Sequence, residues 1–361
     1  MGPLLNSTAY DGSDVTTMVA LRVSLEKMDG GGRRVVAFRR ALDSVGAVRL
    51  VAVGPTGPEG DAHVRDSRIH RAKRRLLPVP LRGPVEHTLA RQSCVGPTLS
   101  LVPSAHLWSL ECGPTWLDFS DLWSDIARNQ ARTVDPVSAM CNRAHARVWT
   151  KREATESRKA AVASVASWAD RDRLGGHAVW LPTPVSDRFN TTRRPTTSGL
   201  RTCGMIANFD YPPNRDAYRR LVIEWMPLLT PTFDRVVVAG FGSDALPRSP
   251  QIDILGPVSS VDSFYRDVDA VLAPIERGGG MKVKVVEAMM HGVPVIATDH
   301  STEGLPPAIS AVCADLRGHW RLGCDPRDQA AVSDELQRFT FQNFDRQFRT
   351  LWSERMVRCH G

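Results

Sequence analysis

Residues 273–305, which read APIERGGGMKVKVVEAMMHGVPVIATDHSTEGL, decide the fold of this chain. The segment predicts an apolar strand that ends at Pro274, then three glycines, then a helix from about Met281 to His291. The apolar run 293–298 predicts a second strand after this helix. A strand, a glycine turn, a helix and a strand in this order are typical of a parallel α/β sheet.

The same alternation of apolar runs and helical patterns extends over the rest of the chain. Strands are predicted at 15–25, 48–53, 115–119, 178–181, 203–207, 235–239, 252–255 and 270–273. Helices are predicted at 33–44, 154–166, 215–228 and 261–267, and the tail 330–357 is strongly helical. Between these regions, residues 182–200 are rich in Pro, Ser and Thr without periodicity, which predicts a linker between two domains.

The glycine turn predicts an anion site. Glycines let the backbone approach a ligand closely, and the start of the next helix offers N–H groups and a positive dipole end. Lys282 falls in the predicted first turn, where a cation is unfavourable for the helix itself. We therefore expect the turn to bind a phosphorylated ligand, with these residues in contact: Arg277, Gly278, Gly279, Gly280, Met281, Lys282 and Lys284.

The spacing along the predicted helix extends this site. Lys284, Glu287 and His291 share one face, and the opposite, core-facing stripe carries Val283, Val286 and Met290. Five residues separate Lys282 from Glu287, roughly 7–8 Å along a helix axis, which is about the distance from a diphosphate to its ribose. A carboxylate accepts hydrogen bonds from ribose hydroxyls, so Glu287 is the predicted ribose ligand. An ordinary surface Lys–Glu pair is the alternative.

The second strand of the segment ends near a further group of candidates. In parallel sheets, ligands bind beyond the carboxyl ends of the strands. Glu303 and the N–H groups of Gly304 and Leu305 are therefore expected to contact a sugar or a phosphate. For any one of these residues, a plain connecting loop explains the sequence equally well.

The run G-x-K-x-K-x-x-E-A-M-x-x-G-x-P-V-x-A-T, followed by E-G-L, resembles the donor domain of the family-4 (group 1) GT-B glycosyltransferases. Residues 209–217 (FDYPPNRDA) are similar to the Y-x-P-N-x-x-A opening of the family's second domain. Residues 180–189 resemble its interdomain turn, and residues 117–124 (LDFSDLWS) resemble its D-x-x-D-x-x-S segment. The likeness covers about residues 115–305 and is most specific after Val236.

The resemblance implies an α/β fold of two Rossmann-like domains that face each other across a cleft, the GT-B architecture. With the predicted linker, this gives an acceptor-binding domain at 1–181, a linker at 182–200, a nucleotide-sugar donor domain at 201–329 and a helical tail at 330–361 that crosses back to the first domain. The implied reaction moves a sugar from a nucleoside diphosphate sugar to an acceptor hydroxyl with retention of configuration. It needs no metal ion and no cofactor.

The chain departs from the family pattern at the sugar end of the donor. Many relatives carry two glutamates eight positions apart; here the second is Glu287, but the first position holds Gly279, with Glu276 as a nearby replacement candidate. A cationic pair early in the second domain is also missing, and Arg215 is the nearest candidate. These departures leave two alternatives open: a GT-B nucleotide-sugar epimerase, or a non-catalytic GT-B partner or scaffold protein.

The first half of the chain supplies the acceptor-side candidates. Gly31, Gly32 and Arg33 are expected to form a second glycine loop at the cleft, although a flexible tip fits the sequence equally well. Asp118 and Asp121 are the predicted catalytic carboxylates, with Lys282 as the cation that stabilises the leaving diphosphate. A helix-capping role is the alternative for Asp121.

Composition limits the cellular context and the partners. The net charge is +7, but the basic residues are scattered apart from RAKRR at 71–75, so a solvated basic surface is favoured over nucleic-acid binding. No apolar run of 18 residues predicts a transmembrane helix, which leaves at most a peripheral membrane contact. The seven cysteines lack C-x-x-C spacing, which favours a reducing cytoplasm over zinc or disulfides.

The expected partners are a nucleotide sugar and a small-molecule or glycan acceptor. Only six of the 46 basic residues are lysine, an arginine bias typical of GC-rich genomes, in which such transferases often act in natural-product biosynthesis. The nucleotide base, the sugar and the oligomeric state remain open.

Overall fold

The computed structural model describes residues 15–21, 30–54, 62–65, 96–101, 114–132, 134–187, 201–313 and 326–357. The first half contains β1 (Val15–Leu21), α1 (Gly30–Asp43), β2 (Ala47–Gly54), β3 (Ala62–Arg65), β4 (Thr98–Ser100), β5 (Thr115–Phe119), α2 (Trp123–Gln130), α3 (Pro136–Lys159), β6 (Val162–Val165), α4 (Trp168–Arg173) and β7 (Val179–Trp180). These strands form a parallel sheet in the order β3-β2-β1-β4-β5-β6-β7.

The second half builds its own parallel sheet. Its elements are β8 (Thr202–Ile206), α5 (Pro212–Arg220), a π-helical turn (Leu221–Trp225), α6 (Met226–Leu229), β9 (Arg235–Ala239), a 3₁₀ turn (Ser243–Ala245), β10 (Asp253–Gly256), α7 (Val261–Asp267), β11 (Ala270–Ala273), α8 (Val283–Met290), β12 (Val295–Ala297), α9 (Asp299–Thr302) and α10 (Pro307–Val312). The strands lie in the order β10-β9-β8-β11-β12.

The predicted α/β architecture with parallel sheets is confirmed. Strands β5, β9 and β11 and helix α7 have the predicted bounds. The apolar runs fix these strands because parallel strands that are covered on both faces are nearly continuous hydrophobic segments. Strands β5 and β11 are buried along their whole length.

One predicted helix is wrong over its second half. Residues 154–166 were expected to be a single alanine-rich helix, but α3 ends at Lys159 and the run Val162–Val165 is β6, which is buried at every position. The β-branched valines favour a strand, and pairing with β5 outweighs the helical pattern that precedes them.

The predicted linker lies between the two sheets in the sequence. Residues 182–187 have no regular secondary structure, and residues 188–200 lie outside the described residues. The exact division into domains therefore stays a prediction.

The C-terminal tail consists of α11 (Pro326–Gln337), α12 (Phe341–Leu351) and a π-helical turn (Trp352–Val357). Phe344 and Phe348 of α12 pack on Phe38 of α1, with ring centroids 5.1 and 6.1 Å apart. Phe348 also stacks on Trp116 of β5 at 4.9 Å. The aromatic stripe of the tail thus completes the hydrophobic core on one face of the first sheet.

Residues after the strands of both sheets line a common cavity, which places the carboxyl ends of the sheets around the candidate site. A shared hydrophobic cluster joins the halves behind this cavity, with Leu117 and Phe119 from β5 in the same group as Val285 and Val286 from α8. Among the described helices, none is both long and apolar enough to span a membrane.

Candidate functional site

The glycine turn after β11 has a backbone shape that other residues adopt only with strain. Gly278 has a φ of 113° and Gly280 a φ of 65°, both in the left-handed region. A Cβ atom on Gly280 would also overlap the carboxylate of Asp121 from the other half of the chain. The turn therefore needs glycine both for its own conformation and for the close approach of the first half.

Lys282 lies immediately before α8, at its N-cap position, rather than within its first turn as predicted. The helix begins two residues later than expected. The ammonium group of Lys282 donates hydrogen bonds to the carbonyl oxygens of Gly278, Gly279 and Gly280 at 3.3, 2.9 and 2.8 Å. Burial lowers the pKa of Lys282, and the charge of Asp121 opposes that shift. Lys282 therefore holds the shape of the turn.

A cavity of about 490 Å³ opens on one side of the turn. Its lining comes from both halves of the chain and includes Gly30, Gly31, Arg33, Ser120, Asp121, Asn208, Tyr211, Asn214, Arg277, Gly278, Gly279, Met281, Lys282, Val283, Lys284 and Glu287. The predicted site residues from Arg277 to Glu287 are thus brought together, except that Gly280 lines a neighbouring cavity instead.

Two cations of the second half face this cavity with different partners. Lys284 donates to Asn214 Oδ1 at 3.0 Å, and burial, assisted by the charge of Lys282, lowers the pKa of Lys284 to about 8. The guanidinium group of Arg277 forms an ion pair with Asp216 of helix α5. Because its pKa lies above 7, Lys284 keeps its positive charge in the cavity at neutral pH.

Glu287 is held by donors from two directions. The hydroxyl group of Tyr265 donates to Glu287 Oε2 at 3.0 Å, and Arg33 Nη2 lies 2.8 Å from Glu287 Oε1. The predicted core-facing stripe of α8 needs one correction. Val283 lines the cavity next to Gly30, whereas Val285, Val286 and Met290 are buried in the core. The eight-residue helix starts later than predicted, which turns Val283 towards the cavity.

Asp118 does not reach this cavity, contrary to its predicted catalytic role. Its carboxylate is fully buried and accepts hydrogen bonds from Arg34 at 2.5 and 2.7 Å and from Ser164 at 2.5 Å. Arg34 also donates hydrogen bonds to the Leu181 carbonyl and to Thr183. Successive side chains of β5 point to opposite faces of the sheet, and Asp118 lies on a face where Arg34 and Ser164 bind its carboxylate. Asp118 therefore stabilises the fold.

Asp121, in contrast, lines the cavity beside the glycine turn. An ideal Cβ on Gly279 would lie 3.4 Å from Asp121 Cγ. Burial raises the pKa of Asp121 to about 6, although Lys282 and Arg34 oppose the shift. The capping alternative does not hold, because the N-cap of α2 is Leu122 and the Ser124 N–H in its first turn donates to Glu153 at 3.0 Å. Asp121 therefore places a carboxylate where the turn itself has no side chain.

The first glycine run was predicted to be a loop, but it is helical. Gly31, Gly32 and Arg33 belong to the first turn of α1, which starts at Gly30. Gly31 and Arg33 line the cavity, whereas Gly32 is buried. None of these three glycines has a positive φ, so the predicted helix 33–44 begins three residues earlier, at Gly30.

The residues after β12 lie on the other side of the turn. A second cavity of about 470 Å³ is lined there by Gly278, Gly279, Gly280, Lys282, His300, Glu303 and Gly304, and from the first half by Asp125, Arg128, Arg132, Asp170 and Arg173. Arg173 Nη2 donates to Glu303 at 2.7 Å, and the Trp168 N–H donates to the Gly304 carbonyl at 2.7 Å. These bonds join the two halves at this cavity.

The contacts of Leu305 and Glu276 contradict their predicted roles at the donor. Leu305 is buried and its N–H donates to the Thr302 carbonyl at 3.0 Å, so this N–H group does not face a ligand. Glu276 pairs with Arg220 and lines neither of the two cavities. Arg215 is exposed and lines neither cavity either.

The sequence missed several residues that the fold brings to these cavities. Asn214 was visible only as part of the quoted FDYPPNRDA segment, and its contact with Lys284 spans 70 positions. Tyr265 gave no signal before its hydroxyl group was seen on Glu287. Asp170 lines the second cavity beside Arg173, and burial raises its pKa to about 7.

The fold and the site define an α/β protein with two parallel sheets and a glycine turn at the cavity between them. Residues 201–339 match the family model described as Glycosyl transferases group 1. The matched segment, which lies in the second half of the chain, is thus similar to the group 1 glycosyltransferases. No curated protein shows significant sequence similarity to the chain.

Solved structures with the same fold span nearly the whole chain. The Anabaena protein HepE, in a structure with UDP-glucose, has a TM-score of 0.56 at 11% identity and covers 94% of this chain and 99% of its own. A glycosyltransferase from Rickettsia africae has a TM-score of 0.58 at 12% identity, with coverages of 96% and 100%. The lipopolysaccharide outer core galactosyltransferase WaaB has 0.57 at 12%, with coverages of 93% and 98%.

Proposed function

We propose that the protein transfers a sugar from a nucleoside diphosphate sugar to an acceptor hydroxyl group. The observation that carries this proposal is the cavity of about 490 Å³ in which the glycine turn, Lys284 and Glu287 lie in sequence along one helix start. The structure of HepE with UDP-glucose supports the same class of donor.

The diphosphate is proposed to bind at the glycine turn and the start of α8. The N-terminus of a helix attracts anions through its N–H groups and its dipole. Lys284 adds a cation that keeps its proton below about pH 8. Glu287 lies about one helical turn further along α8, where its carboxylate accepts hydrogen bonds from the ribose.

The chemistry is proposed to take place beside Asp121. As the bond between sugar and diphosphate breaks, negative charge develops on the leaving group, and the helix start with Lys284 stabilises it. The ionised carboxylate of Asp121 stabilises positive charge on the sugar or orients the acceptor hydroxyl. These fixed groups supply the charge compensation, so we propose catalysis without a metal ion or a cofactor, and with the retention that the sequence resemblance implies.

The acceptor is proposed to enter from the second cavity, which shares Gly278, Gly279 and Lys282 with the first. Its polar lining suits a small polyhydroxylated molecule or a glycan. Cys141, Cys203 and Cys313 carry free thiols, which supports a reducing cytoplasm as the place of the reaction. The arginine-rich composition supports a place in natural-product or cell-surface glycan synthesis.

Thermal unfolding with a panel of nucleoside diphosphate sugars tests donor binding. We expect one nucleotide class to raise the Tm of the parent protein. Lys284→Met should lose this shift, whereas Lys159→Met, which removes a half-exposed lysine on α3, should keep it. If no nucleotide stabilises the parent, or if Lys284→Met keeps the full shift, the proposed donor site is wrong.

Turnover of the stabilising donor separates catalysis from binding alone. Asp121→Asn should keep the Tm shift and slow transfer by about 10²–10⁴-fold, the usual contribution of a positioned acid or base. Because the pKa of Asp121 is about 6, the parent should lose activity as the pH falls through 6, and the variant should lack this limb. Asp172→Asn, at an exposed carboxylate on α4, is the control. Nucleotide binding without turnover in the parent would favour a non-catalytic partner protein, and NMR of the product tests retention.

A further inference from the structure

Arg33 links the two halves of the chain across the donor cavity. It lies in the first turn of α1, and its guanidinium group reaches Glu287 on α8 at 2.8 Å. The Arg33 side chain keeps 23% of its surface exposed, against 10% for Glu287. The pair therefore lies at the cavity wall, where a bound molecule can compete with it.

Helix α1 gains nothing from a cation at this position. Its first turn contains no acidic residue, and a positive charge near a helix N-terminus is unfavourable. The next residue, Arg34, is fully buried with its donors used on Asp118, Leu181 and Thr183. The two arginines are adjacent in sequence and both line the cavity that contains Lys282 and Lys284, but Arg34 is fully buried, whereas Arg33 keeps 23% of its side-chain surface exposed.

The two oxygen atoms of Glu287 are held to different degrees. Tyr265 holds Oε2, and burial together with the charge of Glu287 raises the pKa of Tyr265 well above its ordinary value, so its hydroxyl group stays protonated and remains a donor. Oε1 is paired with Arg33. A ribose hydroxyl group that binds Glu287 therefore competes with Arg33 for Oε1.

We infer that Arg33 is a positioning residue that exchanges Glu287 for the donor diphosphate: the ribose takes Glu287, and the displaced guanidinium group pairs with the phosphates at the glycine turn. The distance suits this exchange, because Glu287 is four residues from the start of α8 at Val283, roughly 6 Å along the helix axis. That is within the reach of a long arginine side chain. Gly30, three residues earlier on α1, already lies near Val283, since a Cβ on Gly30 would be 3.6 Å from it.

The exchange makes recognition of the nucleotide depend on both of its ends. A nucleoside alone displaces Arg33 without offering it a new partner, so it binds weakly. A nucleoside diphosphate offers Arg33 a partner in which a planar guanidinium group can form two hydrogen bonds. The first half of the chain thereby contributes a cation to the donor site and responds to the phosphates. This inference rests on the proposed function.

Binding measurements on Arg33→Gln test the exchange with opposite signs. The ligands are the nucleoside diphosphate that stabilises the parent protein most among UDP, GDP, ADP and TDP, and the corresponding nucleoside. For the variant, we expect the affinity for the diphosphate to fall about tenfold or more, because a charge-assisted bond is lost. The affinity for the nucleoside should rise several-fold, because Glu287 no longer has to release Arg33.

Two further variants sharpen the result. Arg33→Lys keeps the charge but loses the planar fork, so its diphosphate affinity should lie between those of the parent and Arg33→Gln. Arg39→Gln removes an arginine of the same helix that pairs with Asp43 on the surface, and it should bind both ligands like the parent.

The outcomes separate the inference from its premise. If Arg33→Gln weakens both ligands equally, Arg33 is only a structural link between the halves. If both ligands bind more tightly, Arg33 only blocks access to Glu287. Either result, or unchanged affinities, overturns the exchange while the donor site stands. If the parent binds none of the four diphosphates, the proposed function itself fails and the exchange fails with it.

Discussion

Two glycine triplets, each followed by two cations, have opposite fates in this molecule. The first reads GGGRR at residues 30–34, and the second reads GGGMKVK at residues 278–284. The first triplet is the opening turn of helix α1. The second is an irregular turn in which Gly278 and Gly280 have positive φ values and the carbonyl groups converge on Lys282. The same residue type thus starts a helix in one place and forms an irregular turn at the cavity in the other.

The cations after the triplets divide their work in the same way. All four side chains line the cavity, but in each pair one of them is held by hydrogen bonds that build the structure. Arg34 completes a buried ion pair with Asp118, and Lys282 holds the turn. Arg33 and Lys284 face the cavity from opposite sides. A cluster of glycines and cations in a sequence therefore marks a ligand site only in part, because about half of the charges are needed by the fold itself.

The largest effect is expected where the first pair is broken at its structural member. Arg34→Met should lower the free energy of unfolding by about 3–5 kcal/mol, because it leaves the buried Asp118 carboxylate without its partner. Chemical denaturation measures this loss. Arg39→Met, at the surface of the same helix, should change stability by no more than about 1 kcal/mol. An equal and small effect of both substitutions would mean that the Arg34–Asp118 pair is not a structural requirement.

A smaller effect is expected from exchanging one glycine of each triplet for alanine. Gly280→Ala should destabilise the protein by at least about 1–2 kcal/mol, because alanine in the left-handed region is strained, and its Cβ also displaces Asp121. Gly30→Ala should leave stability unchanged or raise it by up to about 1 kcal/mol, since it lies in a helix and its Cβ meets Val283 at an ordinary 3.6 Å. Thermal or chemical denaturation of both variants compares the triplets directly, and similar values for the two would remove the distinction.

The smallest effect concerns the proton on Lys284. Its folded pKa of about 8 lies below the ordinary value of 10.5, so the unfolded chain holds more protons between pH 8 and 10.5. This group therefore makes the free protein more stable as the pH rises through that window. Binding of a diphosphate has the opposite dependence, because the anion favours the protonated lysine.

Affinity for the stabilising nucleoside diphosphate should therefore fall about tenfold between pH 7 and pH 9, as Lys284 loses its proton. Calorimetric titration at several pH values measures this decline. Lys284→Arg keeps its charge across the window and should show a flatter profile, which also corrects for titration of the nucleotide. A decline of the same steepness in Lys284→Arg would assign the pH dependence to another group.

Much of the fold follows from local patterns. The strands at 115–119, 235–239 and 270–273 were predicted at their exact bounds because each is a short apolar run closed by polar or turn residues. The strand at 162–165 was missed because it follows the long helix α3 with only two residues between them. A local pattern does not show where a helix must end so that the next residues can pair with a distant strand.

The candidate site divides in a similar way. The ligand-binding residues predicted in segment 277–287 line one cavity, apart from Gly280. Asp118 and Asp121 could not be told apart in the sequence, since both are carboxylates at the end of one strand. Their roles depend on Arg34, 84 residues before Asp118, and on the glycine turn, which approaches only Asp121.

The sequence by itself determined the parallel α/β architecture and predicted the place of an anion site, because apolar periodicity and glycine at a strand-to-helix turn are local properties of the chain. Only the tertiary structure decided which partner each charge takes. Arg33 and Arg34 are neighbours in sequence, but one meets Glu287 and the other Asp118. Partners so far apart in the chain are set by the packing of the two sheets, and packing depends on the whole molecule.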